Sequence, residues 1–115
     1  MKVVVDASIF SQESGAFGNV SGAIDVSVVP SVGDTLSFIP TKASAEMPPG
    51  FSGQVRVESR IITAGADSHG LMLALEDIAV ETDADAQALV AFFEHAHGLF
   101  ANIYDEDDEA RARDA

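Results

Sequence analysis

Histidine and carboxylate have the widest chemical reach of the side chains in this sequence, and they meet at Glu94-His95-Ala96-His97. Imidazole and carboxylate together can hold a divalent metal. On a helix, however, positions two apart project roughly 200° away from each other, so His95 and His97 cannot share one ion there. Glu94 and His97 could share one, with His69 as a third ligand from a distant turn, but that meeting in space is not encoded by any spacing. The simpler reading puts His95 and His97 in the last turn of a helix, where the dipole favours them. No metal and no other cofactor is expected.

The remaining chemical patterns are thinner. Thr82-Asp83-Ala84-Asp85 and Asp105 to Glu109 are rich in carboxylates. A calcium loop requires a glycine at its sixth position and a distal bidentate glutamate, and neither run has that glycine. Asp67-Ser68-His69 contains the three residue types of a hydrolase triad, yet neighbours in one turn do not make the relay. Gly-x-Ser-x-Gly, a phosphate-binding glycine loop and His-Glu-x-x-His are all missing from the sequence. Gly15, Gly18 and Gly22 are wrongly spaced for dinucleotide binding and precede a strand. These absences point away from an enzyme.

Bulk composition narrows the classes further. The chain of 115 residues is 47% hydrophobic and 22% charged, a globular profile of single-domain size. It has no cysteine, so disulfides and thiolate chemistry are out. Six consecutive apolar residues, Ala88 to Phe93, are the longest such run, far short of a membrane span. The apolar run at Val3–Val5 is too short for a signal peptide, so a cytoplasmic protein is expected, with no membrane partner. The Asn19-Val20-Ser21 triplet is then a chance glycosylation match.

The net charge is −13. Residues 76–115 carry twelve of the acids and two bases, and so hold most of the excess. With no basic patch and no tryptophan, nucleic acid is the first partner to exclude. The acidity reads mainly as solubility or salt adaptation, and secondarily as a surface for a basic protein partner.

The elements that must position these residues are read from periodicity. Val3 to Phe10 alternates as a first strand, Ser11 to Asn19 reads as a loop, and Val20 to Val29 as a strand with Ile24, Val26 and Val28 on one face. Pro30 to Asp34 is a turn, Thr35 to Ile39 a short strand, and Thr41 to Gly53 a long loop around Pro48-Pro49-Gly50. Gln54 to Ile62 is a strand that buries Val55, Val57, Ser59 and Ile61, and Leu71 to Val80 is another. Then the period changes. Thr82 or Asp83 caps a helix carrying Leu89, Phe92, Phe93 and Ala96 on its apolar stripe, and Gly98 stops it.

The resulting expectation is an α+β chain, mostly β: an antiparallel meander of five strands, or six, or a small SH3-like or OB-like barrel, with one C-terminal helix. Residues 1–104 form one globular domain, and 105–115 an acidic disordered tail without apolar side chains larger than alanine. After the helix, Leu99, Phe100, Ile103 and Tyr104 make an apolar cluster. It either adds a sixth strand to the sheet or pairs with a second copy, and a homodimer is preferred. The function expected is that of a non-enzymatic protein-interaction or accessory domain. The alternative is a small-molecule binder or minor enzyme with a pocket under the 41–53 loop.

Overall fold

The computed structural model describes residues 2–40, 46–62, 64–65 and 71–104. The expected triad-like run at 67–69, including the third histidine, and the acidic stretch 105–115 lie outside the described residues. In chain order the elements are β1 (Lys2–Ser11), β2 (Gly15–Asp25), β3 (Thr35–Ser37), β4 (Gln54–Ile62), β5 (Leu71–Leu75), β6 (Ile78–Val80), α1 (Asp83–His97) and β7 (Phe100–Ile103). The chain is α+β and mostly sheet, as its alternating patterns imply.

The strand order is β3-β4-β5-β1-β2-β7, with β6 also on β1. A pure meander is not what forms. β1 and β2 make one antiparallel hairpin, and β3, β4 and β5 make a second antiparallel unit. A parallel seam joins them, with Val4–Asp6 on β1 beside Met72–Ala74 on β5 and Ile9–Ser11 beside Ile78–Val80 on β6. Sequence neighbours pair readily across short turns, but β1 finds its parallel partners only after most of the chain has been laid down.

Four local departures stand out. The β1–β2 turn spans only residues 12–14, because β2 starts at Gly15 and follows β1 through Lys2↔Asp25. Lys2↔Asp25 is the last β1–β2 pair among the described residues, β2 ends at Asp25, and Val28 stands 70% exposed in the connection instead of extending the strand. On β4 the register slips between Val57 and Ser59. Such a bulge reverses the alternation. Val55 and Val57 are fully buried, while Ile61, expected beside them, is 49% exposed opposite Met72 on the other face. The expected strand 71–80 is interrupted at Glu76, whose amide donates to Arg56 O (2.9 Å) while its carboxylate accepts from Arg56 N (2.9 Å).

Among the described residues only one face of the sheet is covered. Val3, Val5, Ala7 and Ile9 of β1, Leu73 and Leu75 of β5, and Ile78 and Val80 of β6 are buried in one core with α1, Phe38, Met47 and Phe51. The helix lies against β1, β2, β6 and β7 and buries Ala86, Leu89, Val90, Phe92 and Phe93, the stripe expected of it. Its start and stop also match the local signals. Thr82 Oγ1 accepts from Asp85 N (3.0 Å), and Gly98 takes the left-handed conformation at φ 67°. Beyond the helix, Phe38 and Phe51 meet Phe93 at centroid distances of 5.2 and 5.5 Å. Among the described residues the opposite face has no helix over it, and it carries the row Ile61, Met72, Val4 and Ala23.

Candidate functional site

The apolar cluster after the helix divides between two jobs. Leu99 is 4% exposed. Its amide donates to Phe93 O (3.1 Å) as Gly98 N donates to Glu94 O (3.2 Å), the paired bonds of a glycine-stopped helix. The Leu99 side chain lies over Gly22, where an added Cβ would meet it at 3.1 Å. Leu99 therefore anchors the turn and offers nothing to a partner.

Phe100 to Ile103 then add a strand against Ser21 to Gly18 of β2. The approach is close: a Cβ at Gly18 would come within 2.5 Å of Asn102 O. Gly18 and Gly22, wrongly spaced for a nucleotide loop, serve backbone packing. Tyr104 N donates to Phe17 O (2.9 Å) and continues the pairing. Phe100 is 77% exposed, on the uncovered face in the row of Ser21, Asp6 and Ala74, and Ile103 and Tyr104 are exposed too. Of the two outcomes foreseen for this segment, adding a strand is the one the fold shows. β7 is then the terminal strand of the order, and its outer edge faces away from β2.

A second feature was not foreseen. A cleft of about 910 Å³ lies between the end of β2, the 26–30 connection, β3 and the C-terminal end of α1. It is not under the 46–53 segment, where Met47 and Phe51 pack on the core. Residues 23–28 line one wall and residues 34–38 the other, each as an unbroken run. A strand that met a cleft by its face would contribute only alternate residues, so both walls present strand edges. Ala96, His97 and Gly98 close one end, and Lys2, Asp25 and Asp34 bring charge. Lys2 Nζ is 3.3 Å from Asp25 Oδ2, and Asp34 Oδ2 accepts from Ser31 N (2.8 Å). The sequence identified the turn at 30–34 and the strand after it. It had no signal that these residues face 23–28, because the two walls meet only through the curvature of the whole sheet.

His97 stands where this cleft meets the core. Its ring packs edge-on against Phe38 and Phe92 at centroid distances of 5.2 and 5.3 Å, and its Nε2 lies 3.0 Å from Ile39 O. Burial pushes its pKa below the ordinary histidine value, and the contact with Ile39 O works against that. Glu94 and His95 are exposed, and among the described residues no group of three histidine or carboxylate side chains is placed to hold a metal ion.

At the other end of the helix, Asp83 Oδ1 accepts from Ser11 Oγ (2.5 Å) and Ser14 Oγ (2.7 Å). Those bonds hold the Asp83 carboxyl below the usual range, first through Ser11 and then through Ser14. Glu13 Oε1 accepts from Asp83 N (2.8 Å). The arrangement ties the β1–β2 turn to the helix start, and each polar group in it has a structural partner. Among the described residues no helix is long and apolar enough to cross a membrane. Comparison of the chain with protein-family models, with curated proteins and with solved structures finds no match among any of them.

Proposed function

We propose that the chain is a small, non-enzymatic protein-interaction or accessory domain that pairs with its own copy through β7. The observation that supports this reading is the exposed apolar character of a terminal strand: Phe100 is 77% exposed on the uncovered face, Tyr104 is exposed further along, and Ile103 is exposed on the other face. An open strand edge offers unpaired backbone groups, and apolar side chains on it make water a poor partner. Two antiparallel copies of β7 related by a two-fold axis satisfy both needs, since the same patch serves each subunit. Leu99 holds the strand in place from within its own chain, so the contact falls to Phe100, Ile103 and Tyr104.

Charge opposes the pairing. Each chain carries −13, and the sequence following Tyr104 contains six of the acids and two arginines. Exposed charges are screened within about 10 Å at 0.1 M salt, so raising ionic strength should tighten the dimer. Light scattering on the full chain at tens of micromolar in moderate salt is expected to report a dimer. Phe100→Asp should return it to the monomer with an unchanged circular dichroism spectrum. A wild-type chain that remains monomeric under those conditions defeats the proposal.

A further inference from the structure

We infer that the cleft between β2 and β3 is an acceptor for an extended, basic peptide segment of another protein, which adds a strand to the open edge of β3. The inference rests on reading the chain as an interaction domain and names a second surface and its occupant. Backbone geometry is its first support. Val57 N donates to Asp34 O (2.8 Å) and Phe38 N donates to Gly53 O (2.6 Å). These bonds fix the alternation along β3, so the backbone groups of Asp34, Leu36 and Phe38 point to β4. Those of Thr35 and Ser37 point the other way, into the cleft. On the facing wall β7 pairs only as far as Ser21, which leaves Ala23 to Asp25 with β1 as their sole strand partner among the described residues.

The shape fits such a guest. A volume of about 910 Å³ is at the upper end of ligand sites, which run from about 300 to 1,000 Å³. Ile24, Val26 and Leu36 are apolar and only partly buried where they line it. They offer seats for every second side chain of an added strand, the usual source of specificity in strand addition.

Electrostatics selects the guest's charge. Lys2 and Asp25 match each other at one wall, which leaves Asp34 as the charge the other wall offers to a guest. The C-terminal end of α1, which carries the negative pole of the helix dipole, closes the cleft at Ala96 to Gly98. His97 could add positive charge only by protonation, which its burial disfavours. Against a chain of net −13, lysine and arginine side chains alternating with apolar ones are the complementary pattern, and steering by the whole acidic surface favours their encounter.

The test uses the full-length chain and a fluorescein-labelled seven-residue peptide that alternates valine and lysine. Fluorescence polarisation should show saturable binding, and amide shifts in NMR spectra should move at Thr35–Phe38 and Ala23–Val28. The variant Asp34→Asn should weaken binding by up to about fivefold, in line with the loss of one partly screened charge pair. Methylating alternate backbone nitrogens of the peptide should abolish binding, because strand addition needs those donors. Equal binding of a valine–glutamate peptide, indifference to N-methylation, shifts confined to Phe100–Tyr104, or no binding at 1 mM peptide (roughly the weak limit for specific recognition) would each overturn the assignment. Repeating the titration on Phe100→Asp separates this outcome from the dimer. Binding that survives in the monomer upholds the cleft whatever the fate of β7, and binding that vanishes there while the fold persists overturns it.

Discussion

The two ends of the single helix are held in different ways. At the start, the fixings are polar and local to one point: Thr82 caps the helix, and Ser11, Ser14 and Glu13 bind Asp83 from the β1–β2 turn. At the end, they are apolar and distributed, with Phe92, Phe93 and His97 set among Phe38 and Phe51. The polar end is closed by these bonds. The apolar end borders the 910 Å³ cleft. The difference follows from what each end must do. Hydrogen bonds satisfy a fixed set of donors and then exclude further ligands, whereas an aromatic cluster beside a gap leaves strand edges accessible while still supplying the burial that holds the helix down.

The contrast predicts unequal consequences of damage. Phe93 is almost wholly buried and touches Phe38, Phe51, Phe92 and His97. Phe93→Ala should cost about 3–5 kcal/mol, the usual range for a deleted core phenylalanine. Urea unfolding checks it, and a change below about 1 kcal/mol would mean that the aromatic end does not carry the helix. Ser11→Ala should cost less, about 1–2 kcal/mol, because Ser14 still donates to Asp83 after Ser11 is gone. Equal losses in the two variants would erase the distinction between the ends.

Titration gives the smallest and sharpest separation. His97 has its pKa pushed down by burial, so the fold prefers the neutral ring. Stability is then unaffected above the ordinary histidine pKa of about 6.5 and falls as pH drops below it. Asp83 has its pKa lowered by Ser11 and Ser14, so its contribution is present at neutral pH and is lost only as pH falls below the usual aspartate value of about 3.9. Thermal melts of the wild type and of His97→Gln should therefore diverge slightly between about pH 6.5 and pH 5. Melts of Asp83→Asn should differ from wild type at neutral pH and converge with it in acid. A His97→Gln curve parallel to wild type from pH 7 to pH 5, within the titration range of histidine, would place that ring in water.

What could be read in advance has a physical pattern. The helix was legible from Thr82 to Gly98 because caps are local chemistry: a hydroxyl three residues before an amide, and a glycine able to take positive φ. β4 was legible from Val55 to Val57 and misread after it, since Ser59 and Ile61 continue the written alternation while the bulge turns them to the other face. The turn at 12–14 was read as a longer loop because the glycines of β2 look like breakers until β7 is seen to pack against them. The β7 segment was visible as an apolar cluster, but Leu99 and Phe100 could not be told apart as anchor and exposed contact. The cleft was out of reach altogether. Its walls belong to segments whose meeting depends on where β3 ends up in the strand order.

The parallel seam has a consequence for how the molecule is made. The β1–β2 hairpin and the β4–β5 pair each join neighbours in sequence and can close early. Val4 with Met72, and Ile9 with Ile78, must wait for segments near opposite ends of the described chain to find each other. Pairings of such long sequence separation raise contact order and slow refolding. Until they form, β1 has one bare edge, and the chain passes through a stage at which a strand destined for the interior of the sheet is open to strangers. The large negative charge then acts as a guard during assembly: it holds unfinished chains apart for as long as the seam takes to close.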